Sequence, residues 1–308
     1  MINISGWFLS DDDADFMKYE IAEGTTIDHN NYIVFYQDQH FDNPNDPGCN
    51  VRFALSEIGE TLYLHSGQDG QLTGYSEEEK FGASETGVAF GRYRKSTGTY
   101  NFVAMSENTP WQPNAYPKVG PIVINEIMYH PNDPSGDAEY VELLNISGSP
   151  VTLYDSLTNE PWQFVDDEDD PGIEFLFPYN PPVTMADGEY LLLVKNLAAF
   201  NSKFTAPGGV TILQWVDGNL KNGRERPQIS KPGDVDEQGQ RQYIRVDRVY
   251  YSDGSHHGDF DYLIPPLDPW PIEADGYGKS LNRKVPAEYG NDVINWEANE
   301  PTPGAANP

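Results

Sequence analysis

Cysteine is almost absent from this chain of 308 residues, in which Cys49 is the only one. A single cysteine excludes a disulfide framework within the chain and any metal cluster built on several thiolates. We therefore expect Cys49 to be an ordinary loop residue rather than a nucleophile.

Basic residues are scarce: 19 lysines and arginines stand against 49 aspartates and glutamates, which gives a formal net charge of −30. Nucleic-acid binding requires a positive surface that neutralises phosphates, so the charge argues strongly against a nucleic-acid partner. One concentration of basic residues is visible. We interpret it as a solvated face, with a ligand site as the alternative. It comprises Arg224, Arg226, Lys231, Arg241, Arg245 and Arg248.

Long apolar runs are missing as well. No stretch approaches the roughly 20 apolar residues that a membrane-spanning helix requires. Met1 is not followed by the charged region and apolar core of a secretion signal. The sequence thus predicts no membrane span in this chain.

Helical periodicity is also nearly absent, since only residues 197–204 show it, and weakly. Short runs rich in β-branched and aromatic residues alternate with Gly, Pro and Asn, a pattern typical of β-sandwiches. The sequence therefore predicts an all-β chain. In the first half, short strands are expected at residues 18–21, 32–36, 53–55, 61–65 and 100–105, with a hairpin around Gly59-Glu60.

Residues 122–147 predict a strand, loop, strand unit. Ile122, Val123 and Ile124 form an apolar run that favours a strand. Residues 130–138 are rich in Pro, Asn, Asp and Gly, which set turn dihedrals, so the chain reverses there. A second strand is predicted at residues 139–144.

This unit carries a family resemblance. Its motifs Asn125-Glu126-Ile127-Met128 and Glu139-Tyr140-Val141-Glu142-Leu143 resemble the opening of a bacterial lamin-tail domain, an immunoglobulin-like β-sandwich. Further segments resemble later parts of that family in the same order, over nearly all of residues 122–308. They are residues 190–194, 222–225, 251–253, 277–281, 295–296 and 302–307, of which the last is the most specific.

Five short matches indicate an internal repeat. Residues 32–36 match 190–194, residues 55–60 match 220–225, residues 90–92 match 277–279, residues 101–102 match 295–296, and residues 109–115 match 302–307. The prediction is two tandem immunoglobulin-like β-sandwiches, at residues 1–117 and 118–308. The first lacks the two opening strands, so we expect the chain to be part of a longer polypeptide. The second is complete and carries loop insertions.

Apolar and aromatic residues of the predicted strands should form the two cores. Those expected in the first core are Trp7, Phe35, Leu62 and Phe102, and those expected in the second are Ile124, Leu143, Leu192 and Trp296.

Two acidic runs are candidate Ca²⁺ sites, because Ca²⁺ takes six to eight oxygen ligands. Neither fits the EF-hand pattern, since Phe16 and Pro171 stand where its glycine is needed. Solvated acidic loops are the alternative interpretation. The candidate ligands are Asp11, Asp13 and Asp15 in one run, and Asp166, Asp167, Asp169 and Asp170 in the other.

Two longer loops, residues 219–249 and 256–267, are the best candidates for a ligand surface, because loops carry function more often than strands. His256 and His257 lie near Asp253, Asp259 and Asp261, which are residue types that bind metals. Adjacent histidines of an extended segment point to opposite faces, so we favour an exposed polar loop. The ligand-loop candidates are His256, His257, Asp259 and Trp270.

No catalytic motif is present: the sequence contains no Gly-x-Ser-x-Gly elbow, no His-Glu-x-x-His and no phosphate-cradling glycine loop. Glu126, Glu139 and Glu142 could supply a pair of carboxylates, which would suit acid–base chemistry. Their place in the lamin-tail motif favours a role at a sheet edge or in anchoring a loop. The sequence therefore predicts a protein that is not an enzyme.

The leading functional hypothesis, which the resemblance implies, is a non-catalytic interaction or adhesion module of an extracellular or cell-surface bacterial protein. Its partner would be a protein or a cell-surface polysaccharide. One alternative is an accessory part of a larger secreted enzyme, a hydrolase or a spore-coat-type kinase. Another is a carbohydrate-binding sandwich that uses Trp162, Trp215 and Trp270 as stacking platforms, although tryptophans of this kind are more often in a core.

Overall fold

The computed structural model describes residues 1–167, 172–256 and 268–308, and almost all of its regular secondary structure is β. The prediction of an all-β chain is confirmed. Contacts divide the chain into two compact units. Unit 1 comprises Met1–Tyr93, Asn101–Pro117 and Asp234–Gln242, and unit 2 comprises Arg94–Tyr100, Lys118–Gly233 and Tyr243–Pro308. That residues 1–117 repeat residues 118–308 stays a prediction.

The first eight strands precede residue 118. They are β1 (Ile2–Asn3), β2 (Phe8–Ser10), β3 (Tyr19–Glu20), β4 (Thr26–Ile27), β5 (Gly59–Gln68), β6 (Gln71–Gly82), β7 (Phe90–Arg94) and β8 (Tyr100–Ala104). Four of them form a sheet in the order β3-β2-β5-β6, while β1 pairs with β4 and β7 with β8.

The long hairpin β5–β6 turns at Asp69-Gly70, where both residues have positive φ, 52° and 69°. An Asp-Gly pair between two strands is a strong hairpin signal, because it tolerates the left-handed backbone of a two-residue turn. The prediction of a hairpin around Gly59-Glu60 is therefore wrong. Gly59 begins β5, and residues 53–55 form no strand.

The strand predicted at residues 32–36 is also wrong, since the structure assigns no strand there. Residues 190–194, which residues 32–36 match in the internal repeat, form a strand because neighbouring strands pair with them on both sides. In the part of the chain that the structure describes, residues 32–36 have no such neighbour. Strand-forming side chains without pairing partners do not make a strand.

The core of unit 1 is small. Its buried members are Ile4, Tyr19, Ile21, Phe41 and Phe53. The predicted Trp7, Phe35 and Leu62 pack against it but are only partly buried. Phe102 is also partly buried and contacts the rings of Phe81 and Phe90. The expectation that these four side chains are largely buried is thus too strong.

Unit 2 contains most of the remaining strands. They are β9 (Ile122–Met128), β10 (Tyr140–Asn145), β11 (Val151–Thr152), β12 (Tyr154–Asp155), β13 (Glu160–Pro161), β14 (Gln163–Val165), β15 (Glu174–Leu176), β16 (Thr184–Met185), β17 (Tyr190–Val194), β18 (Thr211–Gln214), β19 (Arg224–Glu225), β20 (Gln228–Val235), β21 (Arg241–Arg248), β22 (Tyr251–Ser252), β23 (Ser280–Arg283) and β24 (Trp296–Asn299). The ends of β20 and β21 that form their turn belong to unit 1.

One short α-helix, α1 (Leu197–Lys203), bears out the weak helical pattern at residues 197–204. It begins after Asn196, whose side chain accepts a hydrogen bond from the Ala199 N–H at 3.0 Å. An asparagine in this position satisfies an N–H group that has no partner within the helix. Short 3₁₀ helices lie at Ile272–Ala274 and Val293–Asn295. No helix among the described residues has the length and apolar character to cross a membrane.

Two sheets enclose the main core of unit 2. A six-stranded sheet has the order β18-β17-β10-β9-β23-β24, in which only β17 and β18 are parallel, and a four-stranded sheet has the order β15-β14-β20-β21. Side chains from both sheets form one buried cluster, as in a β-sandwich. The predicted core residues Ile124, Leu143 and Trp296 belong to it.

The six-stranded sheet is buried on its other face as well. There Leu192, also a predicted core residue, packs with Tyr140 and with Phe200 of α1. Burial on both faces explains why β9 and β10 read as continuous runs with little polar alternation. The prediction for Leu192 is confirmed, although it lies in this second, smaller core.

Glu126 and Glu142 lie on this second face and hold the last residues of the chain. The Glu126 carboxylate accepts a hydrogen bond from the Thr302 N–H at 3.1 Å, and Glu142 accepts one from the Gly304 N–H at 2.6 Å. Glu139 similarly accepts one from the Leu220 N–H at 2.8 Å. Their role in anchoring loops is confirmed. The sheet-edge position is wrong for Glu126 and Glu142, because β9 and β10 are central strands.

Candidate functional site

A two-stranded ribbon forms the floor of the candidate site. β19 pairs with β22 so that Arg224 lies opposite Ser252 and Glu225 opposite Tyr251. The Asp253 N–H donates to the Gly223 carbonyl at 2.9 Å and extends the ribbon. The Tyr251 hydroxyl donates to the Lys221 carbonyl at 2.6 Å and fixes the turn before β19. Two segments about 30 residues apart are thus held together.

A charged cleft of about 480 Å³ opens at this ribbon. Among the described residues, two ion pairs cross it: Arg226 Nη2 lies 2.6 Å from Asp167 Oδ1, and Lys221 Nζ lies 3.2 Å from Glu225 Oε1. With Arg224, the described part of the cleft has three cationic and two acidic side chains. The residues that line it are Asp167, Lys221, Gly223, Arg224, Glu225, Arg226, Tyr250 and His256.

Glu225 is the most deeply buried charge of the cleft, with 2% of its surface exposed. Burial, and to a smaller extent the charge of Asp166, raise its pKa to about 7, against the lowering effect of the hydrogen bond from the Lys221 N–H. Asp166 is itself buried, and burial raises its pKa too. Near neutral pH, the net charge of the cleft therefore changes with the protonation of Glu225.

An aromatic pocket of about 250 Å³ adjoins the cleft and shares Arg224 and Tyr250 with it. Four aromatic rings and two cationic side chains face it, and no acidic side chain does so among the described residues. The residues that line it are Lys95, Thr97, Thr99, Tyr100, Arg224, Tyr250, Tyr251, Ser252, Trp270, Asn291 and Val293.

The turn that carries Lys95 is fixed by a buried carboxylate. Asp292 accepts hydrogen bonds from the Ser96 N–H, at 2.8 Å, and from the Ser96 hydroxyl. The Lys95 N–H donates to the Thr99 carbonyl at 2.8 Å and closes the turn. Burial lowers the pKa of the Lys95 ammonium, while the charge of Asp292 acts to raise it. The pocket thus presents a cation that has lost part of its water.

Asp253, His256 and Asp268 form a third feature beside the cleft. One potential metal-ligand atom of each lies within 4.8 Å of the others. His256 Nδ1 is 2.9 Å from Asp253 Oδ1. Asp268 Oδ2 accepts hydrogen bonds from the Ser252 hydroxyl, at 2.5 Å, and from the His256 N–H, at 3.2 Å. We call these three residues the Asp-His-Asp cluster.

The structure brings together residues that the sequence suggested for separate reasons. Asp167 of the second acidic run, Arg224 and Arg226 of the basic concentration, and His256 of the inserted loop all line the charged cleft. Trp270 lines the aromatic pocket. Asp169, Asp170, His257 and Asp259 lie outside the described residues.

Two of the three proposed tryptophan platforms are wrong. Trp162 and Trp215 are 6% and 1% exposed and belong to the main core of unit 2. An indole enclosed by other side chains has no face left for a sugar ring. Trp270 also packs in that core, but part of it reaches the aromatic pocket.

The first acidic run is held by local contacts. Lys18 Nζ lies 2.6 Å from Asp11 Oδ1, and Asp15 Oδ1 accepts a hydrogen bond from the Met17 N–H at 3.1 Å. Within the described ranges, Asp11, Asp13 and Asp15 do not bring three ligand atoms within 4.8 Å of one another. Ca²⁺ binding by either acidic run stays a prediction.

Sequence reasoning missed Lys95, Tyr100 and Tyr250. Lys95 and Tyr100 flank a short turn between β7 and β8, which on the sequence looks like any polar hairpin end. Only the tertiary structure places this turn within unit 2, beside residues some 125 to 200 positions later in the chain.

No protein-family model, no curated protein and no solved structure matches this chain. The resemblance to lamin-tail domains therefore stays a prediction, and any functional proposal depends on the geometry of the site.

Proposed function

We propose that the chain is a non-catalytic binding module for an acidic polysaccharide, in an extracellular or cell-surface bacterial protein of the lamin-tail type. The observation that carries this proposal is the aromatic pocket. In a chain with a net charge of −30, it combines Lys95 and Arg224 with four aromatic rings, and no carboxylate lines it among the described residues. The charged side chains that line it in the described part of the chain are thus of the opposite sign to the net charge of the chain.

The cationic side chains suit a carboxylate on the ligand. A guanidinium binds a carboxylate through two parallel hydrogen bonds, and such charge-assisted bonds are stronger than neutral ones. The half-buried Lys95 ammonium has lost hydration, which an anionic group of the ligand would replace. Lys95 and Arg224 thus favour an anionic ligand over a neutral one.

The aromatic side chains suit the ring of a sugar. Tyrosine and tryptophan combine an apolar face with a polar edge, so they bind a molecule that itself has apolar and hydroxylated surfaces. Tyr100 and Tyr250 remain 60% and 42% exposed, which leaves ring surface for contact with a ligand. Ser252 and Asn291 add polar groups to the same wall.

The adjoining charged cleft suits a ligand longer than one sugar. Arg224 and Tyr250 belong to both cavities, so a chain bound in the pocket continues into a cleft with three cationic and two acidic side chains. Repulsion by the acidic chain as a whole is screened by salt over about 8 Å at physiological ionic strength. Contacts within the pocket are screened less, so binding is expected to persist there.

The test is calorimetric titration of the full chain with polygalacturonate, an acidic polysaccharide, and with dextran, a neutral one. We expect binding of the first only. Lys95→Met and Tyr250→Ala should each weaken it about tenfold or more, the loss expected for one charge-assisted hydrogen bond or one ring contact.

Matched controls exist in the same unit. Lys284→Met removes an exposed lysine, and Tyr277→Ala removes a tyrosine that is 73% exposed, both away from the pocket. Neither should change the affinity. Equal binding of dextran and polygalacturonate, or equal losses in control and pocket variants, would show that the pocket is not the site.

A further inference from the structure

We propose that Asp253, His256 and Asp268 bind a divalent transition-metal cation of the Zn²⁺ type. The ligand atoms of these three residues converge within 4.8 Å of one another. In a tetrahedral site, two ligand atoms at the usual 2.0–2.2 Å from Zn²⁺ lie about 3.3–3.6 Å apart. Side-chain movements of up to about 1 Å therefore bring all three atoms to bonding distance. The proposal is independent of polysaccharide binding.

The donor set selects the class of metal. One imidazole nitrogen with two carboxylate oxygens suits Zn²⁺ and other first-row divalent cations, whereas Ca²⁺ requires six to eight oxygen ligands. Sites with three protein ligands usually keep a further position for water or for a group of the substrate. The Asp-His-Asp cluster thus has the composition of an open site.

A buried hydroxyl gives independent support. Tyr129 is 1% exposed, and its hydroxyl has no hydrogen-bond partner among the described residues. Burial raises the pKa of this phenol, and the charges of Asp275, Asp253 and Asp268 raise it further, so the ring lies within electrostatic range of the cluster. A buried hydroxyl without a hydrogen-bond partner destabilises the folded state. A metal-bound water would provide that partner.

The surroundings of the cluster hold its ligands in place. Asp268 Oδ1 accepts a hydrogen bond from the Trp270 N–H at 3.1 Å, and Asp253 Oδ1 accepts one from the Ser255 N–H at 2.8 Å. Tyr129 is stacked on Tyr251, with ring centroids 4.7 Å apart. Bonds of this kind orient metal ligands in known sites.

Gly223 provides room for the imidazole. A Cβ at this position would lie 2.9 Å from His256 Cε1, closer than side chains pack. The imidazole therefore rests directly on the backbone next to β19. Since His256 also lines the charged cleft, a metal bound here borders that cleft and is accessible from it.

The experiment uses the full chain, treated with EDTA and then dialysed. Titration with ZnCl₂ should give one strong site per chain, and excess Ca²⁺ should not displace the metal. Co²⁺ in place of Zn²⁺ should give visible absorption bands, which report on the ligand field of the unmodified chain even where a variant folds poorly.

Two variants remove ligands with little change of shape: His256→Gln and Asp253→Asn. Each should weaken Zn²⁺ binding at least about tenfold, since even partners outside the ligand shell contribute 10- to 100-fold. The matched control is His130→Gln, because His130 Nδ1 also lies 2.5 Å from an aspartate, Asp275, but forms no cluster with a second carboxylate of the described residues. Its affinity should equal that of the unchanged chain.

The alternative is that the three residues only clamp the loop through their hydrogen bonds. In that case His256→Gln and Asp253→Asn would lower the melting temperature of the metal-free chain, while Zn²⁺ would bind weakly or with unchanged affinity in all variants. Either of these binding results overturns the proposal.

Discussion

Glu142 and Glu126 show at the scale of single residues how charge is used inside unit 2. They lie directly opposite each other on β10 and β9, and both are fully buried. Burial raises the pKa of Glu142 to about 8, against the hydrogen bond from Asn125, and the charge of Glu126 raises it further. Burial also raises the pKa of Glu126. Two like charges so close in an apolar interior do not both ionise easily.

This arrangement predicts a pH dependence of stability. The folded pKa of Glu142, about 8, lies above its ordinary value of 4.5, so the folded state holds the proton more tightly. The contribution of the protonated Glu142 carboxyl to stability is complete below about pH 4.5 and is lost as the pH rises to about 8. The free energy of unfolding of unit 2 should fall by up to about 1.4 kcal/mol per pH unit in this window.

Glu142→Gln should flatten this dependence, because glutamine keeps an acceptor for the Gly304 N–H and does not titrate. Chemical denaturation at pH 5 and pH 8 measures it. The control is Glu174→Gln, which changes an exposed glutamate of β15 and should leave the slope unchanged. An unaltered slope in Glu142→Gln would mean that other groups cause the dependence.

The closing segment shows how one backbone conformation fixes an element. Gly304, with φ of 81°, donates its N–H to Glu142 and packs against the stretch between α1 and β18. A Cβ here would lie 2.9 Å from Val210 Cγ2 and 3.0 Å from Pro207 Cδ. A side chain at this position would therefore meet both backbone strain and crowding.

Three glycine-to-alanine variants separate these two effects by denaturation of the full chain. Gly208→Ala has ordinary φ and open space, and should change the free energy of unfolding by less than about 0.5 kcal/mol. Gly188→Ala has a φ of 72° and open space, and should cost about 1 kcal/mol of strain. Gly304→Ala should cost about 2–3 kcal/mol, because crowding adds to strain. Equal losses for Gly304→Ala and Gly188→Ala would exclude the crowding.

The elements also show how far sequence predicts the fold. The apolar run of β9 and the Asn196 cap of α1 are local signals, and the structure contains both elements. Residues 32–36 have the same local signal as β17 but form no strand, because strand formation also depends on neighbours that are distant in sequence. The Asp69-Gly70 pair is a local signal too, and it marks the turn of the β5–β6 hairpin.

At the scale of the whole molecule, the candidate site joins several segments that are far apart in the sequence. The turn at residues 95–99, the ribbon strand β19 with its preceding turn, and residues 250–256 each contribute side chains to the two cavities. Each segment has an ordinary polar composition, so its sequence alone does not reveal the pocket. Arg224 and His256 were identifiable as candidates because basic residues and histidines are rare in this chain. Their partners became visible only through the pairing of β19 with β22.

The net charge of −30 leads to a prediction for the whole chain. Like charges destabilise a compact state by mutual repulsion, and salt reduces this repulsion. The screening length falls from about 30 Å at 0.01 M to about 8 Å at 0.15 M ionic strength. The melting temperature should therefore rise from the lower to the higher ionic strength. The expected rise is roughly 2–4 °C for each kcal/mol gained in the free energy of unfolding of a unit of about 150–250 residues.

Calorimetric scans in NaCl, with CaCl₂ at equal ionic strength as the comparison, measure this effect and also test the acidic runs. Equal increases in the two salts would mean that screening explains the whole response. A larger increase in CaCl₂, reduced by Asp13→Asn, would indicate a specific Ca²⁺ site in residues 11–15. Asp187→Asn removes an aspartate outside both acidic runs and is the control for the change in charge. A melting temperature that stays constant or falls as NaCl is added would contradict the argument that charge repulsion destabilises the chain. Local ion pairs, such as the one between Lys18 and Asp11, would then already offset the repulsion among the acidic groups.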